Sequence, residues 1–165
     1  MTAFIGMGGN LGNPRVNLAE AVSNLAKLFE IERKSSLYRT APVGGPAGQP
    51  VCYNAVAQVK TEGGPKDTMN ALRSIEIRMG RMRAEKWGPR IIDLDLLNQD
   101  GIVMEDKDMT LPHPMLHLRS FVLLPLSEIA PDWVHPRLNM TTMEMIGKLS
   151  TEDKAIILGV EGWPE

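Results

Sequence analysis

Two stretches with helical periodicity, each lying between short apolar runs of strand length, constrain the fold of this 165-residue chain most strongly. The first follows Asn13-Pro14, and the second follows Gly63-Gly64-Pro65, where proline suits a first helical turn. The strands expected around these helices cover residues 4–7, 31–38, 52–59 and 91–97. This order matches a split βαβ arrangement. We therefore predict the α+β class, a ferredoxin-like α/β sandwich with a mainly antiparallel sheet and C-terminal additions that end in a strand over residues 155–160.

Composition narrows the range of functions. At 43% hydrophobic and 23% charged residues, the chain is typical of a folded globule, and we expect one domain over residues 1–165. The net charge of −2 argues against a nucleic-acid partner, and no apolar run approaches the ~20 residues that span a bilayer. A single cysteine, Cys52, cannot form an internal disulfide, which favours the cytoplasm. We expect a monomer, with a dimer left open.

The segment Asp93-Leu94-Asp95-Leu96 has the alternation of a strand with two different faces. Because residues two apart share a face, the two carboxylates would lie roughly 7 Å apart and the two leucines would face the core. Neighbouring carboxylates repel each other and attract cations, and two Mg²⁺ ions held with phosphate oxygens would satisfy them. A strand with one solvated face is the alternative that the pattern leaves open.

A basic segment, residues 81–90, leads directly into this strand. It contains Arg81, Arg83, Lys86 and Arg90 together with Trp87. Arginine side chains fit phosphate oxygens in a forked geometry, so cations beside metal-binding carboxylates indicate a polyphosphate site. A solvated basic loop that pairs with nearby acids is the structural alternative.

Four ordered blocks of sequence resemble one known family. The segment from Lys86 to Leu97 is similar to the signature of 6-hydroxymethyl-7,8-dihydropterin pyrophosphokinase, a folate-biosynthesis enzyme. The other blocks are Gly8–Gly12, Ser35–Thr40 with Asn54-Ala55, and Leu111–Pro114 with Ile129–Pro131. The resemblance runs from about residue 3 to about residue 136. It implies a ferredoxin-like enzyme whose substrates are ATP and 6-hydroxymethyl-7,8-dihydropterin; the hydroxymethyl oxygen attacks the β-phosphorus and AMP leaves.

The same resemblance implies roles for individual residues. Two Mg²⁺ ions, bound with ATP as co-substrate, are expected on Asp93 and Asp95. The implied catalytic residues are Arg81, Arg83, Arg90, Asp93 and Asp95. The implied ATP-binding residues are Glu76, Arg81, Arg83, Trp87, Arg90, Thr110, His113 and Arg119. The implied pterin-binding residues are Thr40, Val43, Cys52, Asn54, Trp87, Asp93 and Phe121.

Cys52 departs from the family pattern, which usually has an aromatic residue two before the pocket asparagine, here Asn54. Either Cys52 takes the place of a stacking ring, or a β-bulge turns the adjacent Tyr53 inward. A pocket with one aromatic face should bind the pterin more weakly by about 1 kcal/mol.

Other interpretations of the chain remain. Glu76 fits a plain ion pair as well as it fits a place near the nucleotide. A relative that binds nucleotide or pterin without turnover would also carry these blocks, although both aspartates and the arginines argue against it. A ferredoxin-like nucleic-acid module would need exposed aromatic residues on its central strands, and only Tyr53 is a candidate.

Overall fold

The computed structural model of the chain describes residues 1–45, 47–80 and 90–165. Its helices are α1 (Pro14–Leu28), α2 (Pro65–Arg78), α3 (Ser120–Ile129), α4 (Thr142–Gly147) and α5 (Thr151–Ala155), with a 3₁₀ turn at Leu116–Leu118. Its strands are β1 (Thr2–Gly9), β2 (Glu30–Lys34), β3 (Leu37–Thr40), β4 (Cys52–Lys60), β5 (Asp93–Gln99), β6 (Met104–Glu105), β7 (Thr110–Leu111), β8 (Val134–His135), β9 (Met140–Thr141) and β10 (Ile157–Glu161). Within these ranges, no helix is long and apolar enough to cross a membrane.

The main sheet has the strand order β10-β3-β4-β1-β5, and β2 also pairs with β4. Every pairing in this sheet is antiparallel, as predicted. The first six predicted elements are all present in the predicted order. β1 and β4 lie at the centre of the sheet, whereas β5 and β10 lie at its two edges.

The two predicted helices begin where their sequence signals place them. Asn13 caps α1 by accepting a hydrogen bond from the Val16 amide at 3.3 Å, and Pro14 occupies the first turn. α2 likewise has Pro65 in its first turn. It is followed by Gly80, whose φ of 86° lies in the left-handed region that glycine tolerates best. Capping and proline signals were therefore sufficient to locate both helices.

The single strand predicted over residues 31–38 is in fact two strands, β2 and β3. Between them, Ser35 still bonds β4: its amide donates to Val56 O at 2.9 Å, and its hydroxyl accepts from Val56 N at 3.0 Å. The next amide, of Ser36, leaves the ladder and donates to Glu128 at 2.9 Å. Because the competing acceptor is on α3, local propensity could not reveal the break. The last strand begins at Ile157 and not at Ala155, which ends α5.

The sheet is packed on both faces. On one face, α1 and α2 cover a core that includes Leu25, Leu72, Ile5 and Leu96. On the other face, α3 packs on a second core. This second core includes Phe4, Val56, Leu97, Leu123 and Leu126. α3 covers only part of its face, and the remainder, toward the start of β5 and of β4, is open as a cavity.

Candidate active site

The cavity has a volume of about 690 Å³ and lies on the sheet face that α3 shares. Gly6 and Gly8 of the central strand β1 lie among its lining residues, between β4 and β5. A Cβ atom at Gly8 would lie 2.6 Å from Asn54 Oδ1, and one at Gly9 would collide with the Ile91 carbonyl oxygen. Gly8 therefore leaves the floor of the cavity beside Asn54 free of a side chain, so a flat ligand can approach the backbone, whereas Gly9 allows the Ile91 carbonyl to lie close to β1.

The charged end of the cavity is built on β5. Asp93 and Asp95 both line it, whereas Leu94 and Leu96 are buried in the core beneath the helices. Arg90 donates from Nη1 to Asp93 Oδ1 at 3.2 Å. Asn10 fixes the Arg90 backbone twice, because its side chain accepts from Arg90 N at 2.9 Å and its own amide donates to Arg90 O at 3.0 Å. The loop after β1 thus holds a cation beside the paired carboxylates.

His113 and Arg119 line the cavity on the side of β5. The His113 amide donates to Leu97 O at 2.8 Å, and its Nδ1 accepts from Met115 N at 3.2 Å. Burial, reinforced by Arg119 and opposed by Asp93, lowers the pKa of His113 to about 4. Because Nδ1 accepts a backbone proton, the neutral ring carries its hydrogen on Nε2. His113 is therefore available as a neutral donor at pH 7.

The other end of the cavity is less charged. Asn54 Nδ2 donates to Thr40 Oγ1 at 2.9 Å, which orients the amide over the sheet. Cys52, Val43 and Phe121 lie among the lining residues on this side. The guanidinium of Arg119 lies over the Phe121 ring, 5.5 Å from the ring centroid. An aromatic face beside a donor–acceptor amide suits a flat heterocycle with polar edges.

Cys52, and not Tyr53, faces the cavity. β4 keeps an unbroken register with both neighbours here, because Tyr53 pairs with Gly9 on one side and Arg39 on the other. Tyr53 therefore points to the opposite face, where its hydroxyl donates to Glu161 at 2.8 Å. Of the two alternatives raised by the sequence, a bulge that turns Tyr53 inward is wrong. Burial raises the pKa of the Cys52 thiol, which keeps it protonated.

The residues present fit Mg²⁺ bound together with a polyphosphate. In the described ranges there is no group of three or more His, Cys, Asp or Glu side chains that could hold a metal by itself. Mg²⁺ is commonly bound by one or two carboxylates with the remaining ligands from substrate phosphates and water. Asp93 and Asp95 supply two such carboxylates, and Arg90 beside them could contact phosphate oxygens.

The cavity includes ten of the predicted site residues: Thr40, Val43, Cys52, Asn54, Arg90, Asp93, Asp95, His113, Arg119 and Phe121. Two others are not among its lining residues. Glu76 is buried at 4% exposure on α2, where it accepts a hydrogen bond from Leu94 N at 3.1 Å. Thr110 is in the short strand β7, which pairs with β6. Arg81, Arg83 and Trp87 lie outside the described residues.

Several lining residues escaped the sequence reasoning: Asn10, Gln49, Met115, Leu118, Glu152, Asp153 and Ile156. Asn10 belongs to a block that carries the family resemblance, so its position could have been included. Glu152, Asp153 and Ile156 lie beyond the resemblance, and no motif marks them. Long-range contacts bring this segment to the cavity: β10 pairs with β3, Ser120 Oγ donates to Asp153 O at 2.6 Å, and Ala41 N donates to Ile156 O at 2.8 Å.

The family model of 7,8-dihydro-6-hydroxymethylpterin-pyrophosphokinase (HPPK) matches residues 4–131 of this chain. The chain belongs to the HPPK family. A 2-amino-4-hydroxy-6-hydroxymethyldihydropteridine pyrophosphokinase from Synechocystis is 42% identical over 87% of the chain and 74% of the relative. The same-named protein of Methylorubrum extorquens is 40% identical over 80% of the chain and 84% of the relative.

Longer proteins are also similar to this chain. The folic acid synthesis protein FOL1 of Dictyostelium discoideum is 36% identical, over 86% of the chain but 22% of the relative. A crystal structure of Plasmodium falciparum HPPK-DHPS with pteroate superposes with a TM-score of 0.71 at 16% identity, over 89% of the chain and 44% of that protein. The chain thus spans less than half the length of these two proteins, and the solved structure supports the ferredoxin-like fold.

Family membership confirms the predicted activity class. The chain is an HPPK enzyme, a pyrophosphokinase that transfers a pyrophosphoryl group to hydroxymethyldihydropterin in folate biosynthesis. HPPK enzymes use ATP as the co-substrate.

Proposed function

We propose that the sheet-face cavity is the active site, in which the hydroxymethyl oxygen of 6-hydroxymethyl-7,8-dihydropterin attacks the β-phosphorus of ATP and AMP leaves. One observation carries this assignment. Asp93 and Asp95 line one end of a cavity whose other end presents Asn54, Thr40 and Phe121. A polyphosphate with its metal ions and a flat heterocycle would then meet over Gly6 and Gly8, between the two ends.

Two Mg²⁺ ions would be held by Asp93 and Asp95 together with the phosphate oxygens of ATP. Bound there, the metal would neutralise phosphate charge and orient the triphosphate. The Arg90–Asp93 contact at 3.2 Å supports this role, because it keeps a guanidinium beside the carboxylates before the nucleotide arrives. Phosphate oxygens can then be bound by both the arginine and the metal.

The nucleotide side would consist of Arg90, His113 and Arg119. His113 is neutral and donates from Nε2, while the two arginines bring positive charge to the leaving group. The resemblance adds Arg81, Arg83, Trp87 and Thr110 to this side. Glu76 fits a positioning role better than a nucleotide contact, since it bonds the backbone of β5 at Leu94 from the helix side of the strand.

The pterin side would consist of Thr40, Val43, Cys52, Asn54 and Phe121. The ring would lie against Phe121, and Asn54, held by Thr40, would use its amide on a polar edge. Holding the hydroxymethyl oxygen in line with the β-phosphorus converts a bimolecular encounter into an oriented one. Such positioning, together with exclusion of water as a competing nucleophile, accounts for most of the catalysis expected here.

We also propose that the chain acts as one domain over residues 1–165, as a monomer and in the cytoplasm. The continuous main sheet, which joins β10 near the C-terminus to β3, supports the single domain. Sedimentation of the purified chain would test the monomer.

The assignment is tested by measuring AMP release from ATP, Mg²⁺ and 6-hydroxymethyl-7,8-dihydropterin with wild type and Asp95→Asn. Because the amide cannot replace a carboxylate at the metal, we expect turnover to fall roughly 100-fold or more, the scale of a lost transition-state contact. Asp132→Asn, an exposed aspartate that is not among the residues lining the cavity, is the matched control. Equal turnover in both variants would place the reaction elsewhere. Pterin binding without AMP release by wild type would favour the non-catalytic alternative.

A further inference from the structure

The position of α3 over the sheet decides where the Phe121 ring lies in the cavity. Ser120, Phe121 and Val122, the first three residues of the helix, all line the cavity. The helix interior contains Pro125, which has no amide hydrogen and therefore cannot donate to the Phe121 carbonyl oxygen four residues earlier. The turn that carries the ring is thus held to the rest of α3 by one backbone bond fewer than in a regular helix. Contacts between α3 and the sheet therefore matter more for the position of the ring.

The opposite end of α3 is bound to the β2–β3 segment by one carboxylate. Oε1 of Glu128 accepts from the Ser36 amide at 2.9 Å and from the Ser36 hydroxyl at 2.8 Å. Oε2 of the same side chain accepts from the Tyr38 hydroxyl at 2.8 Å. Both oxygens of the carboxylate are therefore engaged. We call these three residues, Ser36, Tyr38 and Glu128, the α3 anchor.

Tyr38 is the buried member of the α3 anchor, with 8% of its surface exposed. Burial, reinforced by the Glu128 carboxylate, raises the pKa of Tyr38, so its hydroxyl keeps its proton and acts as a donor. A hydrogen bond to a charged acceptor is stronger than one between neutral groups. The Tyr38–Glu128 contact is therefore the stronger kind of link between the helix and the sheet.

The α3 anchor and the proposed pterin side lie along the same interface between α3 and β3. On β3, Tyr38 and Thr40 are two residues apart and face the same side of the sheet. On α3, Phe121 and Glu128 are seven residues apart, about two turns, and lie on the same side of the helix. Thr40 accepts from Asn54 Nδ2 at 2.9 Å. A bond at one end of this interface therefore restrains the Phe121 ring relative to Thr40 and Asn54 at the other end.

We propose that Tyr38 and Glu128 are positioning residues for the pterin, an inference that rests on the proposed active site. Neither is among the residues that line the cavity, so they act through α3 and the Phe121 ring. Without the bond between them, the first turn of α3 shifts and the ring packs less well against the pterin. ATP binding changes little, because Arg90 and His113 lie on other elements. The expected signature is weaker pterin binding with an almost unchanged KM for ATP.

The test compares Tyr38→Phe with wild type in steady-state kinetics of the full chain. The ring stays and the hydroxyl is lost, so KM for the pterin should rise about fivefold, the scale of one aromatic contact. KM for ATP should stay within about twofold. The variant should fold, because the core under α3 remains and Arg33 Nη1 still donates to Ile129 O at 3.0 Å.

Tyr53→Phe is the matched control, because it removes the same kind of bond on the opposite face of the sheet, from the Tyr53 hydroxyl to Glu161 at 2.8 Å. It should leave both KM values within about twofold of wild type. Equal pterin KM values for the two Phe variants would overturn the proposal. Glu128→Ala, at an exposed position, is a second way to break the anchor and should raise the pterin KM at least as much as Tyr38→Phe. Glu128→Gln keeps one acceptor oxygen and should raise it less.

A double-mutant cycle separates positioning from general stability. Phe121→Ala removes the ring through which the anchor acts, so adding Tyr38→Phe to it should raise the pterin KM no further. Effects of the two substitutions that multiply would overturn the proposal. If wild type releases no AMP, the proposed active site fails on its own. The same cycle then uses the pterin Kd, measured by fluorescence with a non-hydrolysable ATP analogue, and absence of pterin binding also overturns the proposal.

Discussion

The two faces of β5 differ sharply although they alternate along one short strand. Leu94 and Leu96 are 2% and 1% exposed and pack beneath α1 and α2. Asp93 and Asp95, their sequence neighbours, line the cavity on the opposite face. The comparison teaches that stability and function are separated by the pleat of the strand. Substitutions only one residue apart should affect one property and leave the other almost unchanged.

β1 shows the same division with different residues. Its helix-side residues, Ile5 and Met7, belong to the buried core, whereas Gly6 and Gly8 lie on the cavity side. Where β5 places carboxylates beside the cavity, β1 places the glycines Gly6 and Gly8 there, and its Phe4 packs farther along the same face in the second core. The strand at the centre of the sheet therefore provides space, and the strand at its edge provides charge.

The largest effect that would sharpen this comparison is expected for Leu96→Ala. Removing a fully buried leucine leaves a cavity in the core beneath α1 and α2, so the free energy of unfolding should fall by about 2–5 kcal/mol. KM for ATP and for the pterin should stay within about twofold, because the carboxylates on the other face keep their strand. Denaturant unfolding and steady-state kinetics on the same preparation measure the two quantities.

Leu158→Ala controls for the loss of a leucine from the sheet, since Leu158 of β10 is 45% exposed and should cost little stability. A large rise in either KM for Leu96→Ala would break the comparison. It would mean that the core beneath the helices sets the geometry of the carboxylates as well as the stability of the fold.

The next effect concerns His113, a cavity residue that also contributes to stability. Its pKa of about 4 in the folded chain lies below its ordinary value of 6.5, so the unfolded chain binds more protons between these values. The contribution of His113 to the free energy of unfolding is complete above pH 6.5. As the pH falls toward 4, the free energy of unfolding decreases by up to about 3 kcal/mol. His113→Asn should therefore flatten the dependence of unfolding free energy on pH within this window.

Denaturant unfolding at several pH values between about 4.5 and 7.5 tests this prediction. The variant should retain some slope, because burial also lowers the pKa of His135, whose contribution has the same sign. His135→Asn is thus a second variant with a predicted partial loss of slope. An unchanged slope in His113→Asn would show that the folded chain protonates this histidine as easily as the unfolded one.

Much of this molecule could be predicted from its sequence because its signals are local. Pro14, Pro65 and the alternation at Asp93–Leu96 depend on neighbours within a few residues. Both helices begin where those signals place them, and β5 covers Asp93–Gln99, two residues later than the predicted 91–97. The cavity residues near Asp93 were reached through the family resemblance. The sequence alone could not place them, since Asn54, His113 and Phe121 come from three different elements.

The features that the sequence did not predict depend on contacts between distant parts of the chain. The break between β2 and β3 requires Glu128. The lining residues Glu152, Asp153 and Ile156 reach the cavity because this segment bonds Ser120 and Ala41. Glu76 is a third case, because its carboxylate bonds the backbone of β5 from the helix side. Each contact joins residues at least eighteen positions apart, where neither periodicity nor capping gives a signal.

The smallest expected effect tests the other side of the cavity, at Cys52. Among the described residues that line the proposed site, Phe121 is the one Phe, Tyr or Trp, and Cys52 occupies a position on β4 from which a second ring would extend into the cavity. Cys52→Phe should lower the pterin Kd about fivefold, the equivalent of about 1 kcal/mol for one aromatic contact. Calorimetric titration with the pterin and a non-hydrolysable ATP analogue measures the change.

Tyr53→Phe is the matched control because it retains a ring one residue away on the opposite face and removes only the hydroxyl that bonds Glu161. It should leave the pterin Kd unchanged while it weakens the attachment of β10. Weaker pterin binding by Cys52→Phe would mean that the cavity has no room for a second ring. Tighter binding by Tyr53→Phe would contradict the assignment of Tyr53 to the helix-covered face. The two variants together therefore test whether adjacent residues of β4, Cys52 and Tyr53, affect ligand binding and structure separately, as we expect for adjacent residues of β5.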